Sequence, residues 1–157
     1  MIVVGQGGRP TGMKVVAAIV SPMTHTESGK LEALRSVPIF AGLPSESLER
    51  IAAIASEVEF PPNQVVIEAR TPGAGMFVIL DGRVSVHARG VEAELGPGEV
   101  IGEVALLRSD SQRIARVQTL TDVRCLAVDR ASFRELVAED GGLALALLEN
   151  VAQRIPI

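Results

Sequence analysis

Gly96-Pro-Gly-Glu-Val-Ile-Gly-Glu-Val-Ala-Leu-Leu-Arg-Ser-Asp-Ser-Gln-Arg-Ile-Ala-Arg-Val117 is the most informative segment of this chain. It begins with a Gly-Pro-Gly turn, where glycine supplies backbone conformations that other residues resist. The pair Gly102-Glu103 precedes a short helix-compatible run, Val104–Leu107, and a polar loop then leads to Arg113. A carboxylate and a guanidinium this close in sequence can hold two ends of one small anionic molecule. They can equally form a structural salt bridge with each other, and the spacing alone favours that simpler interpretation.

On both sides of this segment, short apolar runs show the period of two that is typical of β-strands. They recur at intervals of roughly 8–12 residues with turn residues between them, which indicates a sandwich or a barrel. The eight runs are Val58–Phe60, Val65–Ile67, Met76–Leu80, Val84–His87, Val91–Leu95, Val100–Ile101, Ile114–Val117 and Val123–Val128. Asp81-Gly82, between the third and fourth runs, is the strongest hairpin signal in the chain.

Helical periodicity lies at both ends of the strand region. Before it, Leu48, Ile51, Ala52 and Ala55 occupy one face of a helix that Pro44 or Ser45 is predicted to open. After it, a helix capped by Asp129 is predicted to reach Ala138, and a last helix is predicted over Leu143–Arg154, beyond the break at Gly141-Gly142. The fold class is therefore mainly β with flanking helices: an eight-stranded jelly-roll β-barrel with N-terminal and C-terminal helices.

The composition limits the classes of function. The chain has 157 residues, enough for one domain, with residues 1–30 predicted to be a flexible extension and residues 31–157 the domain. Fifteen basic residues face nineteen acidic ones, for a net charge of -4, so we expect no nucleic acid binding by this chain alone. No apolar run approaches the roughly 20 residues of a membrane helix, so no membrane segment is expected. Cys125 is the single cysteine, which fits a reducing, cytoplasmic setting.

Gly102-Glu103-Val104-Ala105-Leu106, followed by Arg113-Ile114-Ala115, resembles the phosphate-binding cassette of cyclic nucleotide-binding domains. That family includes the sensors of bacterial catabolite-activator-type regulators, protein kinase A regulatory subunits and cyclic-nucleotide-gated channels. Further segments match in order and spacing: Phe40–Leu43, Pro72-Gly73, Phe77–Val84, Leu95–Gly98 and Asp129–Phe133. The resemblance extends from about Leu31 to Arg154. Each piece is a weak signal, and the ordered set is a strong one.

The resemblance assigns a role to each cassette residue. Glu103 is expected to accept a hydrogen bond from the ribose 2′-hydroxyl, and Arg113 to neutralise the cyclic phosphate with its planar donor fork. Backbone N–H groups at Ala105, and at Ala115 or Ile114, are expected to hold the other phosphate oxygens. Gly102 lets the chain turn Glu103 inward. The ligand-binding set is thus Gly102, Glu103, Val104, Ala105, Arg113, Ile114 and Ala115.

The chain departs from the family pattern at three places. Ile114 follows the arginine where the family usually has Ala, Ser or Thr, and a hydroxyl there helps to hold guanine. Ile offers no hydroxyl, so cAMP is expected in preference to cGMP. The bulk of the Ile114 side chain is expected to crowd the mouth of the pocket and to lower the affinity for either ligand. Val104 replaces the commoner Leu or Ile, a neutral change. The chain ends soon after Arg154, so the helix that covers the base in many relatives is expected to be truncated.

The predicted function is a regulatory domain that senses a cyclic nucleotide and transmits it by movement of the C-terminal helices. It is not expected to be an enzyme, and no cofactor or metal is expected beside the ligand, cAMP or cGMP. The last helix is apolar on more than one face, so a second copy or an effector domain is the expected partner there. Two alternatives stay open: a fold of this family that has lost its ligand, and a cupin-like metalloenzyme.

Several other residues have simpler interpretations. His25 and His87 are isolated, and a cupin site needs clustered ligands, so His87 is expected on the surface of a strand. Cys125 lies in an apolar run and is expected in the core. Arg116, Arg124 and Arg130 are expected to be solvated charges.

Overall fold

The computed structural model describes residues 19–20, 27–68, 75–108 and 115–153. The strands in these ranges are β1 (Ile19–Val20), β2 (Ser56–Phe60), β3 (Val65–Ile67), β4 (Gly75–Asp81), β5 (Val84–Ala88), β6 (Val91–Leu95), β7 (Val100–Ile101), β8 (Arg116–Thr119) and β9 (Val123–Asp129). The helices are α1 (Glu27–Arg35), α2 (Ser45–Ile54), α3 (Val104–Leu107), α4 (Arg130–Glu139) and α5 (Gly141–Ala152), with a 3-10 turn at Pro38–Phe40.

The strands form two antiparallel sheets that pack face to face. One sheet has the order β1-β2-β9-β4-β7 and the other the order β3-β8-β5-β6. All eight predicted strands are present as β2 to β9, and the mainly β, jelly-roll fold with flanking helices is confirmed. Its barrel consists of two separately hydrogen-bonded sheets rather than one continuous closed sheet. The remaining strand, β1, pairs with β2 at the edge of the first sheet.

Two apolar clusters lie on opposite faces of the larger sheet. Along β4, Phe77 and Ile79 point into the cluster between the sheets, whereas Met76 and Val78 point into the cluster beneath the helices. The same alternation continues in β9. A strand that is covered on both faces has no polar side, which explains why the apolar run in β4 is nearly continuous.

Asp81-Gly82 does not form the predicted hairpin. β4 is already paired on both edges, with β7 and β9, so β5 has no free edge there and joins the other sheet. Gly82 makes this crossing with a φ of 92° and packs where a Cβ atom would clash with the carbonyl oxygen of Asp122. The hairpin lies one strand later, where Arg89 and Gly90 join β5 to β6 with φ values of 50° and 77°.

The helices agree closely with the sequence pattern. α2 begins at Ser45 as predicted, and it buries Leu48, Ile51 and Ala52. The Asp129 side chain caps α4 by accepting a hydrogen bond from the Ser132 N–H at 3.0 Å, which confirms the predicted N-cap. α1 begins at Glu27, and both this start and β1 fall within residues 1–30, the predicted extension; the rest of that extension lies outside the described residues.

The break at Gly141-Gly142 is also present. α4 ends at Glu139, and α5 starts at Gly141 with Asp140 as its N-cap. The Asp140 side chain accepts a hydrogen bond from the Leu143 N–H at 3.0 Å. In the part of the chain that the structure describes, no helix has the length and apolar character needed to span a bilayer.

Candidate ligand site

The segment that leads into the candidate site is fixed to the central strand β4. The N–H of Gly98 donates to the Ile79 carbonyl at 2.8 Å, and the N–H of Ile79 donates to the Glu99 carbonyl at 2.9 Å. β7 then continues the pairing, with Ile101 opposite Phe77. Gly102, the residue that follows β7, is therefore positioned by the edge of the larger sheet.

Gly102 turns the chain at this edge. Its φ of 80° lies in the left-handed region, which glycine adopts at little cost and which residues with a Cβ atom avoid. The Leu106 N–H donates to the Glu103 carbonyl at 3.1 Å and begins the single turn of α3. Leu106 is fully buried and anchors α3 in the core beneath the helices. These contacts bring Gly102, Glu103, Val104 and Ala105 together in one turn, as the sequence predicts.

The Glu103 side chain has one oxygen in an unusual environment. Oε2 is buried, and no described residue donates a hydrogen bond to it. A buried acceptor without a donor costs about 1–3 kcal/mol, and more when it is charged, so native structures retain few of them without a reason. This oxygen is therefore suited to a donor that a ligand supplies, such as a hydroxyl group.

Ala105 is paired through both of its backbone polar groups. Its N–H, which is expected to bind phosphate, donates to the Gly102 carbonyl at 3.0 Å. Its carbonyl accepts a hydrogen bond from Arg130 Nη1 at 3.4 Å. In this conformation the Ala105 N–H has to be released or shared before it can bind an anion.

The cassette connects the two sheets. Glu103 follows β7 of the larger sheet, and half-buried Ala115 directly precedes β8 of the smaller one. Arg113 and Ile114 lie outside the described residues, so their assignment to the site stays a prediction.

Sequence reasoning missed the role of Arg130. This residue was expected to be a solvated charge, whereas its guanidinium contacts the cassette helix. The contact joins residues 25 positions apart, and no local pattern in the sequence signals it. Arg124 is also more than a solvated charge, because its Nη2 lies 3.2 Å from Glu59 Oε1.

The remaining candidates agree with their simpler interpretations. His87 is exposed on β5, with its Nε2 atom 3.9 Å from Glu92 Oε1. Cys125 is buried, and burial raises the pKa of its thiol to about 12. Within the four described ranges, no three His, Cys, Asp or Glu residues are grouped closely enough to hold a metal ion.

An apolar groove lies beside the cassette helix. It has a volume of about 520 Å³ and runs between α3, α4 and α5. Its walls include Leu107, Val137 and Leu148. Leu148 is 67% exposed, so α5 presents apolar surface that the described chain does not cover.

The comparisons of this chain with known proteins all indicate the same family. The family model described as "Cyclic nucleotide-binding domain" matches residues 57–140. The N-terminal domain of a transcriptional regulator from Streptomyces coelicolor A3(2) superposes with a TM-score of 0.70 and 32% sequence identity, over 78% of this chain and 91% of that chain.

Curated relatives carry the same region within longer proteins. A "CRP-like cAMP-activated global transcriptional regulator" of Mycobacterium tuberculosis is 25% identical over 79% of this chain and 58% of its own length. A "cGMP-dependent protein kinase" of Drosophila melanogaster is 29% identical over 67% of this chain and 12% of its own length. The chain thus spans little more than half of the regulator and a small part of the kinase.

Proposed function

Because this chain belongs to the cyclic nucleotide-binding domain family, we propose that it senses a cyclic nucleotide, with cAMP preferred to cGMP. The family match includes the whole cassette from Gly102 to Ala115. The family is a regulatory one, and its members listed above include a regulator and a kinase, so the module is proposed to control another activity rather than to catalyse a reaction.

The observation that carries this proposal is that Oε2 of Glu103 is buried and receives no hydrogen bond from any residue in the described ranges. A ribose 2′-hydroxyl is a neutral donor of the right size to satisfy this oxygen, and a hydrogen bond to a charged acceptor contributes about 1.5–3 kcal/mol. A purely structural salt bridge to Arg113 is the competing interpretation. The two interpretations predict different results, because only the ligand interpretation makes the binding affinity depend on a contact between Glu103 and the ribose 2′-hydroxyl.

Arg113 and the backbone complete the proposed site. The guanidinium of Arg113 is assigned to the cyclic phosphate, and the N–H groups of Ala105 and Ala115 or Ile114 to its other oxygens. Phosphate binding at Ala105 requires its N–H to leave the Gly102 carbonyl. The nucleotide is therefore proposed to favour a second arrangement of this turn.

The preference for cAMP rests on the residue beside the arginine. Ile114 has no hydroxyl to offer the guanine base, so cGMP gains no hydrogen bond there. One relative is named for cAMP and another for cGMP, so the family accommodates both ligands.

The signal is proposed to leave the site through α3 and α4. Arg130, the first residue of α4, donates to the Ala105 carbonyl, so a shift of the cassette turn changes this contact directly. The nucleotide biases the C-terminal helices only by its differential affinity for the two arrangements. The domain boundary at residue 31 and a second copy or effector domain as partner remain predictions.

Calorimetric titration with cAMP and with cGMP tests the proposal. We expect saturable binding of cAMP and weaker binding of cGMP. Binding of cGMP equal to or tighter than that of cAMP would remove the proposed role of Ile114. No heat with either nucleotide up to millimolar concentration would instead support the alternative of a fold that has lost its ligand.

A further inference from the structure

The apolar groove between α3, α4 and α5 has the size and lining of a small-molecule site. Its volume of about 520 Å³ lies within the range of roughly 300–1,000 Å³ that is common for ligand pockets. Leu106, Phe133 and Leu147 line it and are themselves buried, whereas Leu107 and Leu148 line it and are exposed. The groove therefore reaches from the surface of the helices down to the core, and it offers apolar area that a ligand can cover.

Two of the residues that line the groove are alanines, and their short side chains leave it unfilled. Ala138 lies on α4 and is exposed, and Ala144 lies on α5 and is half-buried. Both positions are in helices, where a leucine is accepted as readily by the backbone. A longer apolar side chain at either position would occupy part of the volume, so a substitution there can be used to close the groove.

The groove has one charged residue in its lining, Arg134 of α4. Its neighbours three and four positions away on the same helix include no acid; they are Arg130, Ala131, Val137 and Ala138. Within the four described ranges, Arg134 forms no ion pair and no side-chain hydrogen bond. A cation without a carboxylate partner thus lies at an otherwise apolar groove, and an anion with an apolar body complements both features.

We propose that this groove is a second ligand site, which binds a medium-chain fatty acid. Its alkyl chain would lie against Leu106, Phe133 and Leu147, and its carboxylate would pair with Arg134. An unbranched alkyl chain suits aliphatic walls that offer no hydrogen bonds, and a guanidinium presents a donor fork that matches a carboxylate. This site is separate from the nucleotide cassette, because its polar group is Arg134 rather than Glu103, and it needs no nucleotide.

The expected affinities follow from the two kinds of contact. Burial of one methylene contributes up to about a fourfold gain in affinity, so binding should tighten with chain length until the groove is full. An ion pair with an exposed arginine contributes only about a two- to fivefold gain. The alkyl chain is therefore the larger contribution, and the carboxylate sets the orientation of the ligand.

Two variants separate the two contributions. Ala138→Leu fills the groove from an exposed position, and Arg134→Gln removes the cation while keeping a polar side chain. Ala131→Leu is the matched control for the first, because Ala131 is an exposed alanine of α4 outside the groove. Arg35→Gln is the control for the second, because it removes an exposed arginine that contacts Ser45 instead.

The experiment is calorimetric titration of the nucleotide-free protein, stripped of lipid, with octanoate, decanoate and dodecanoate below their micelle concentrations. Decanol serves as the uncharged ligand. We expect saturable one-to-one binding that tightens with chain length. Ala138→Leu should weaken the binding of decanoate and decanol about tenfold or more, because overpacking opposes both. Arg134→Gln should weaken decanoate about two- to fivefold and leave decanol unchanged. Both controls should bind as the unchanged protein does.

Each part of the proposal has a result that overturns it. Absence of saturable binding, or equal decanoate affinity in Ala138→Leu and Ala131→Leu, would overturn the site. Equal losses of decanoate and decanol in Arg134→Gln would overturn the pairing of the carboxylate with the guanidinium. A decanoate affinity that falls as the protein concentration rises would show that a second copy covers the groove, and would overturn the fatty acid as its occupant. Because no nucleotide is present, these results do not depend on the proposed function.

Discussion

Arg130 Nη1 donates to the carbonyl oxygen of Ala105 at 3.4 Å, so the first residue of α4 is bonded to the second residue of the cassette helix. This hydrogen bond adds to the packing of Leu106 in the helical cluster, so the cassette turn and the C-terminal helices can influence each other. It lies at the start of the C-terminal helices, because α4 extends from Arg130 to Glu139.

Removal of this contact should weaken the coupling between the cassette turn and α4. In Arg130→Ala, cAMP is expected to protect the amides of α4 from hydrogen exchange less than in the unchanged protein, because the side-chain hydrogen bond to the Ala105 carbonyl is lost. Arg134→Ala, which removes an exposed arginine from the same helix, is the control and should keep the full protection. Equal protection of α4 in Arg130→Ala and in the unchanged protein would show that the signal takes another route.

Two glycine substitutions should change stability in opposite directions. Gly141→Ala is expected to raise the free energy of unfolding by about 0.4–1 kcal/mol, because its backbone suits alanine and its surroundings are open. Gly82→Ala should lower it by more than this, because a Cβ there is both strained and in contact with the backbone of Asp122. Urea unfolding of the three proteins measures both changes. A destabilising Gly141→Ala would contradict the conclusion that the fold does not require glycine at this position.

Cys125 should be unreactive in the folded protein. Burial raises the pKa of its thiol from 9.0 to about 12, so almost no thiolate forms at pH 8, and disulfide reagents should modify it only as the chain opens. Below pH 9 the thiol is neutral in both states. Between pH 9 and about 12 only the unfolded chain ionises, so stability falls as the pH rises through this range. Rapid modification at pH 8 in native buffer, compared with the urea-unfolded chain, would contradict this placement.

Arg113→Ala should weaken cAMP binding by about ten- to a hundredfold, the value of a charge-assisted hydrogen bond to the phosphate. Arg108→Ala, which removes a nearby exposed arginine, is the comparison variant. Calorimetric titration of Arg113→Ala, Arg108→Ala and the unchanged protein with cAMP measures this loss. Equal affinity of Arg113→Ala and the unchanged protein would show that the cassette assignment is wrong.

Much of the fold follows from sequence because the local patterns and the tertiary structure agree. Short apolar runs separated by turn residues predict β2 to β9, and Asp129 caps its helix as its position implies. The hairpin predicted at Asp81-Gly82 was wrong because a turn signal describes only the local backbone. The pairing of β5 depends instead on β7 and β9, which already occupy both edges of β4. The contact of Arg130 with the Ala105 carbonyl could not be predicted for a similar reason, because it depends on how α3 and α4 pack.

The site is predictable in part. Gly102 and Glu103 occupy the turn that their types and spacing imply, and the structure adds that Glu103 Oε2 is buried without a described donor. The hydrogen bond from the Ala105 N–H to the Gly102 carbonyl could not be predicted, because it depends on the conformation of one turn and not on residue type.

The role of Glu103 is the central claim, and the ligand itself can test it. Calorimetric titration of the unchanged protein and of Glu103→Ala, each with cAMP and with 2′-deoxy-cAMP, isolates the hydrogen bond to the ribose hydroxyl. We expect the unchanged protein to bind cAMP at least about tenfold more tightly than the deoxy analogue, and Glu103→Ala to lose this discrimination. Equal binding of the two ligands by the unchanged protein, or undiminished discrimination by Glu103→Ala, would contradict the account.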